Sequence, residues 1–369
     1  MSQTFYPLQI ASLTAETSDT VTVALEVPDE LASTFNYQAG QYVTLKFVIN
    51  GKEERRAYSM SSAPHEDTIA VTVKRVKGGV VSNHIASRLE AGDTIEVMPP
   101  EGRFKVITDH AKRREFYLFG AGSGITPLMS ITRAVLEMEP QSKVHLFYGN
   151  RDEDSIIFED QFKELQERFE GQLEVEHTLS QPKKYRPGGL RGLFSRGKPQ
   201  WRGATGRITI RAVQDFMARH PAAARDKAYY ICGPGNMIDD VEQALLGLGV
   251  HKEHIHTERF VSANAVKQDA PVAGEVDKAE IKAVISGKEH AVTLKPGQSV
   301  LDGLLEAGAQ PPYSCLAGAC STCMAKVEQG GVKMEVCFAL DDDEVAAGYV
   351  LTCQAHPTTE TVRVDFDAA

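Results

Sequence analysis

The chain has 369 residues, 42% hydrophobic and 24% charged, with a formal net charge of −10. Those fractions are ordinary for globular proteins, and the length allows two or three domains. No apolar run reaches the roughly twenty residues of a membrane helix. The six cysteines are too few and too bunched for a disulfide framework, and the start "MSQTFYPLQI" lacks a secretory signal pattern. The expected compartment is a reducing cytoplasm.

The first hundred residues read as β structure. The runs "TVTVALEVP", "QYVTLKFVI", "TIAVTVKRV" and "TIEVMPP" are separated by turn signals such as "QAGQ", "INGKEE" and "EAGD". Short strands at this spacing predict a small antiparallel barrel or sandwich over residues 1–107. Within it, "RRAYSMSS" puts Arg56 and Tyr58 on one face of a strand. The guanidinium suits a pyrophosphate and the ring suits a flat heterocycle. Ser59 faces the other way unless the strand bends there. Further on, "KGGVVSNHI" brings Gly78, Gly79 and Ser82 to a helix start, where anions are received.

From residue 108 strand and helix alternate, which predicts a parallel α/β domain over 108–262 with ligands at the C-terminal strand ends. "EFYLFGAGSGITPLMSITRAVLEM" reads as strand, turn and helix, with Leu128, Ile131, Val135 and Met138 on one stripe. Gly120, Gly122 and Gly124 allow backbone to approach a pyrophosphate, although Ile125 stands where the usual dinucleotide fingerprint has its third glycine. Thr126 is expected to cap the helix and Pro127 to sit in its first turn. The next strand ends in "YGNRD". An acid there would serve the ribose of NADH, whereas Arg151 favours the 2′-phosphate of NADPH. "ICGPGNM" brings Cys232, Gly233 and Pro234 to another strand end, with Asn236 and Asp239 read as caps. Between these elements, residues 178–214 hold nine Lys and Arg and no acid. The basic part, 183–211, reads as an insertion that could steer an acidic partner or domain.

Residues 263–278 are small and polar and read as a linker. The last module, 279–369, joins a hairpin, a helix, a cysteine loop and a final strand, with six basic against thirteen acidic residues. In "SCLAGACSTCMAK" the spacing is Cys315-x4-Cys320-x2-Cys323, and Cys337 and Cys353 follow downstream. Structural zinc usually takes paired C-x2-C motifs or histidines. This spacing with a distant fourth cysteine is that of plant-type [2Fe–2S] clusters.

Together these motifs resemble the ferredoxin–NADP reductase superfamily, and over nearly the whole chain its oxygenase reductases with FAD and a C-terminal plant-type [2Fe–2S] domain. "LTCQAHP" is similar to the segment holding the last cluster ligand, which implies Cys353 as that ligand, Cys337 as a packed cysteine and a β-grasp-like fold. The R-x-Y-S and G-G-x-x-S strings imply FAD with Arg56, Gly79 and Ser82 at its pyrophosphate and Tyr58 and Ser59 at its isoalloxazine. Val73, Lys74 and Val76 of the strand "VKRV" would add backbone contacts. The segment Gly120–Pro127 and the Cys-Gly-Pro motif imply the nicotinamide-nucleotide loops, with Cys232 beside the reactive carbon and Ser59 and Thr126 close by. Phe260 of "HTERF" is implied near the nucleotide or flavin. The strings "YGNR", "HTERF" and "AAGYVLTCQAHP" are nearest to the reductases of phenylacetyl-CoA epoxidases. The implied function passes electrons from NADPH, or NADH, through FAD and [2Fe–2S] to an oxygenase of the diiron kind. Neither nucleic acid nor membrane is expected as a partner. A reductase for another hydroxylase or desaturase, or a non-enzymatic ferredoxin-type carrier or redox sensor, is the alternative.

Overall fold

The computed structural model describes residues 4–185, 198–260, 276 and 278–369. They form three domains, with the cysteine loop in the last. The expected linker, 263–278, falls almost wholly outside the described residues, as does the middle of the basic stretch 183–211.

The first domain has six antiparallel strands: β1 (Tyr6–Thr17), β2 (Thr20–Glu26), β3 (Tyr42–Ile49), β4 (Lys52–Ser59), β5 (Thr68–Lys74) and β6 (Thr94–Glu101). Their order is β4-β3-β6-β1-β2-β5, and Met60, just past β4, bridges Val71 of β5 to close a barrel. The pleat turns Val43, Leu45 and Phe47 of β3 inward with Val23, Leu25, Val71 and Val73. Its other face is covered where the third domain lies on it, so Thr44 is fully buried, while Val48 further along is 73% exposed. Helix α1 (Val80–Arg88) starts at Gly79 and buries Val81 and Ile85 in the same core. Strand β5 ends at Lys74, so Val76 lies in the loop beyond it, where its N–H donates to Ser82 Oγ at 3.1 Å.

The second domain is a parallel sheet of β7 (Arg114–Ala121), β8 (Lys143–Asn150), β9 (Leu173–Leu179), β12 (Ala204–Thr205), β13 (Asp226–Gly233) and β14 (Ile255–Arg259), ordered β12-β9-β8-β7-β13-β14. A two-stranded ribbon, β10 (Lys184–Tyr185) with β11 (Lys198–Pro199), flanks the basic stretch. Helices α2 (Ile125–Met138), α3 (Glu159–Arg168), α4 (Ile210–Arg219) and α5 (Gly235–Gly247) complete the domain. Strands β7 and β8 are apolar on both faces, as central parallel strands must be. Helix α2 is buried on nearly every side because its outer face meets the barrel. Ser130 Oγ donates to Ser62 O at 2.6 Å, and Ala39, Ala63, Phe104 and Val106 share a core with Leu128, Ile131 and Val135. Met138, the last member of the expected stripe, is 43% exposed because the helix ends there.

The third domain contains β15 (Ala279–Ile285), β16 (Lys288–Leu294), α6 (Val300–Glu306), β17 (Met324–Gln329), β18 (Val332–Met334), α7 (Asp342–Ala346), β19 (Tyr349–Leu351), β20 (Ala355–Pro357) and β21 (Thr361–Asp365). The five-stranded sheet runs β16-β15-β21-β17-β19 with β15 parallel to β21, and β18 pairs with β20. Ser299 caps α6 by accepting from Asp302 N, and Val300 and Leu304 pack across the sheet. This is the expected β-grasp-like arrangement. Among the described residues no helix is long and apolar enough to cross a membrane.

Candidate active site and cluster loop

Strand β4 ends at Ser59, whose hydroxyl turns towards the second domain and donates to Glu258 Oε2 at 3.1 Å. Glu258 lies on β14 opposite Cys232 of β13, and Cys232 Sγ is 3.9 Å from the same oxygen. Burial pushes the Glu258 carboxyl up to about 8 against the hydrogen bond from Ser59. Burial, reinforced by Glu258, likewise raises the Cys232 thiol. Two of the three expected catalytic side chains, Ser59 and Cys232, therefore meet on a carboxyl group.

The glycine turn is pressed onto the same point. A Cβ on Gly124 would lie 2.1 Å from Cys232 O, so no other residue fits. Gly122 has φ +55°, with nothing within 4 Å of where its Cβ would be, so its backbone is open to a ligand at the start of α2. Thr126 does not cap this helix. Gly124 holds the N-cap position after a short 3-10 turn, and Thr126 Oγ1 instead donates back to Ser123 O at 3.1 Å. Pro127 is in the first helical turn, as expected.

Arg56 donates to Arg55 O and pairs with Glu54 at 3.1 Å. Tyr58 is half-buried beside it, its hydroxyl pKa raised by burial. Gly79 offers no side-chain cap to α1, so the first N–H groups of that helix are left for an anion. Ser82 Oγ and Asn83 brace the preceding loop through Val76. A guanidinium, a flat ring and a bare helix start suit a flavin dinucleotide. The Lys74 ammonium is bound to Asp19 at 2.9 Å, which leaves only its backbone for a ligand.

Arg151 follows the C-terminal end of β8 with its guanidinium 68% exposed and 3.0 Å from Asp152. Asn236 and Asp239 are not caps. Pro234 precedes α5 without a side-chain cap, Asn236 is exposed, and Asp239 binds Arg259 at 2.5 Å. Phe260 is 38% exposed just past β14.

The cysteine loop lies on the barrel. Ser314 Oγ meets Thr44 Oγ1 at 2.8 Å, and Thr322 meets Tyr42 at 2.9 Å and Glu101 at 3.1 Å. The thiols fall into two pairs: Cys320 donates to Cys315 at 3.1 Å, and Cys323 donates to Cys353. Each hydrogen bond lowers the acceptor, Cys315 or Cys353, and raises its donor. Two pairs are what two irons require, whereas one tetrahedral zinc would draw all four sulfurs to a point. Ala317 N donates to Cys315 Sγ, and Gln354 Nε2 reaches Cys353 Sγ. Cys337 is part-buried against Leu301, Tyr313 and Leu351, and its pKa is raised by that burial without input from another thiol.

Residues 7–106 match the oxidoreductase FAD-binding domain, 118–243 the oxidoreductase NAD-binding domain and 283–358 the 2Fe-2S iron-sulfur cluster binding domain. The chain is 36% identical to a component of the 1,2-phenylacetyl-CoA epoxidase of Escherichia coli (strain K12), over 99% of this chain and 98% of the relative. It is 34% identical to the ferredoxin reductase component of 3-ketosteroid-9-alpha-monooxygenase from Rhodococcus rhodochrous, over 97% and 96%. The chain belongs to the family of flavin- and [2Fe–2S]-containing oxygenase reductases. The solved structure of phthalate dioxygenase reductase shares the fold, with a TM-score of 0.60 over 98% of both chains at 22% identity.

The reductase uses FAD, a [2Fe–2S] cluster and a nicotinamide nucleotide, and passes electrons to an oxygenase. Sequence reasoning missed Glu258, although it stands inside the "HTERF" string. Only the parallel register of β13 and β14, which sets it beside Cys232, gives it meaning. Tyr42, Glu101 and Thr322 were missed for a similar reason: their contacts cross between domains.

Proposed function

We propose that the reductase oxidises NADPH and delivers single electrons to the diiron oxygenase of a phenylacetyl-CoA epoxidase in the cytoplasm. In this reading Arg56, Gly79 and Ser82 hold the FAD pyrophosphate, Tyr58 and Ser59 face its ring, and the backbone of Val73, Lys74 and Val76 lies alongside. Gly120, Gly122, Gly124, Thr126, Pro127, Gly233 and Pro234 take the nicotinamide nucleotide, with Arg151 at its 2′-phosphate and Phe260 at the edge. Cys315, Cys320, Cys323 and Cys353 hold the cluster. When bound, these groups supply hydride transfer from nicotinamide to flavin and one-electron transfer to the cluster.

The chain's own residues shape the meeting point. Glu258 keeps its proton up to about pH 8, so the buried end of the site carries no fixed anion. It orients Ser59 while the protonated Cys232 thiol walls off water. The observation that carries the electron path is that Ser59, which binds Glu258, pairs across the barrel sheet with Tyr42, whose hydroxyl meets Thr322 of the cysteine loop at 2.9 Å. The hydride end and the cluster loop are thus joined through one pair of neighbouring strands.

The epoxidase partner is supported by the full-length likeness to the Escherichia coli protein. The similar likeness to the Rhodococcus protein supports a second reading, a 3-ketosteroid monooxygenase. Mixing the reductase with each oxygenase and following product formation separates the two: epoxidase turnover should exceed ketosteroid hydroxylation at least tenfold, and the reverse selects the second reading. In the same assay Arg151→Ala should raise the KM for NADPH about tenfold and leave that for NADH nearly unchanged. Equal effects would make Arg151 a surface residue.

A further inference from the structure

The second domain carries a histidine–carboxylate cluster at the end of its sheet opposite the glycine turn. Glu115 lies near the start of β7, His145 near the start of β8, Glu174 and Glu176 on β9, and His220 just past α4. Glu115 and Gly120 are five residues apart along one strand, or roughly 17 Å. Nothing in the electron path uses this cluster.

Its geometry is specific. His145 Nδ1 and His220 Nδ1 converge on the same oxygen, Glu174 Oε2, at 3.0 and 2.5 Å. The outer nitrogens point at other carboxylates, His145 Nε2 at Glu115 at 2.9 Å and His220 Nε2 at Glu176 at 2.6 Å. A neutral imidazole has one N–H and one lone pair. With a carboxylate oxygen at both nitrogens, each ring therefore faces one lone pair against another unless a cation lies between them. Two imidazolium protons, or one metal ion in the middle, would remove that repulsion.

The structure assigns the central position to a divalent transition-metal ion, with zinc as the first choice. We infer that His145 Nδ1, His220 Nδ1 and Glu174 are its ligands and that water completes the tetrahedron. The three ligand atoms already lie within 4.8 Å of one another. In a tetrahedron with bonds of about 2.0–2.1 Å they would sit about 3.3 Å apart, so the ion is admitted when Glu174 draws back about 0.3 Å from His145 Nδ1 and about 0.8 Å from His220 Nδ1. Metal-bound histidines almost always donate the other ring N–H to a carboxylate, a backbone carbonyl or water, and both histidines here have a carboxylate in place.

Those outer carboxylates are themselves held. Glu115 Oε1 accepts from Ala223 N at 2.6 Å and Ala224 N at 3.1 Å, and Glu176 takes both a 3.0 Å and a 2.6 Å bond from Arg219. Burial would raise both carboxyls, but the hydrogen bonds from His145 to Glu115 and from Arg219 and His220 to Glu176 outweigh it and keep them low. Tyr117 stacks on the His145 ring at 4.9 Å and its hydroxyl donates to the backbone carbonyl of His220 at 2.8 Å, which ties the two segments together. Glu174 is the one ligand open to solvent, its side chain 47% exposed, and so marks the route of entry and the place for water. A bound ion would tie three strand starts to the end of α4 and brace the sheet from the side away from the nucleotide.

The experiment uses full-length protein loaded with FAD and [2Fe–2S], so that the cluster cysteines are not free to take zinc. It is equilibrated with micromolar free Zn2+ in a chelator buffer, desalted and analysed for zinc and iron. Wild type should retain one zinc for every two irons, and its melting temperature should rise with added Zn2+. His220→Gln and Glu174→Gln should bind zinc at least tenfold more weakly, lose the Zn2+-dependent shift and keep their flavin and iron. X-ray absorption at the zinc edge should show nitrogen and oxygen neighbours and no sulfur. Wild type without retained zinc, variants that retain as much, or nitrogen NMR showing both rings doubly protonated in the presence of Zn2+ would each overturn the assignment in favour of a protonated ion-pair network.

Discussion

The barrel meets its two neighbours in different ways. Towards the nucleotide-binding domain it gives Ala39, Ala63, Phe104 and Val106 to a common apolar core. Towards the cysteine-bearing domain its contacts include paired hydroxyls, Tyr42 with Thr322 and Thr44 with Ser314, and the ion pair of Arg103 with Glu344 at 2.5 Å. Re-exposing apolar surface costs about 25 cal/mol per Å2, whereas a hydrogen bond exchanged for water is worth about 1 kcal/mol net. The first joint is built to stay shut and the second to part. That division suits a reductase whose hydride step needs a fixed geometry and whose last electron carrier must be offered to another protein.

The largest effect separates the two sides outright. Cys353→Ala should abolish the visible absorbance of the cluster and all oxygenase reduction, while ferricyanide reduction at the flavin by the nicotinamide nucleotide persists. Cys337→Ala should change neither. The opposite pattern, read from the same spectra and assays, would move the fourth ligand to Cys337.

Next, Phe104→Ala strikes the apolar joint. Phe104 is 7% exposed and packs edge-on against Tyr230 at 5.2 Å, so truncation should cost about 3–5 kcal/mol. Barrel and nucleotide-binding domain should then lose stability together in a calorimetric scan, with the electron paramagnetic signal of the reduced cluster unchanged. Independent melting of the barrel would show that the seam is not a shared core.

Glu258→Gln tests the point where both joints converge. An unfolded glutamate ionises near 4.3, but the folded Glu258 holds its proton to about 8. Stability supplied by the neutral form is complete below about 4.3 and is lost as pH rises to about 8, after which the loss levels off. The variant should flatten that decline in urea titrations. It should also slow flavin reduction by up to about a hundredfold if Ser59 is misplaced. An unchanged pH profile would mean that Glu258 is already ionised.

The smallest change is at the polar joint. Tyr42→Phe removes the bonds to Thr322 and Glu101 and should alter stability by about 1 kcal/mol or less. Flavin-to-cluster transfer followed by stopped flow should nonetheless slow and vary more steeply with salt, because less holds the third domain in place. An unaltered rate would show that transfer does not depend on this docking.

Much of this was legible beforehand because the relevant signals are local. Strand alternation gave the barrel, the change of period gave the parallel domain, and the spacing of Cys315, Cys320 and Cys323 marked the cluster loop. The misreadings were also local in origin. Thr126 looked like a cap because a 3-10 turn before α2 leaves no trace in residue type, and Asp239 looked like a cap because its partner Arg259 is twenty residues away. Glu258 and Thr44 were invisible for a different reason. A carboxylate in a short strand and a threonine in a β run look solvent-facing until another domain is laid over them.

The fit of Gly124 against Cys232 O sets a limit on play in the mechanism. Two loops that touch backbone to backbone, with no side chain between them to act as a cushion, cannot drift separately. A dinucleotide held at Gly122, as proposed above, would thereby be indexed to the thiol as if on a common bearing. Tolerance in nicotinamide placement is then set by the stiffness of the sheet to which both loops belong, and loop motion adds little to it.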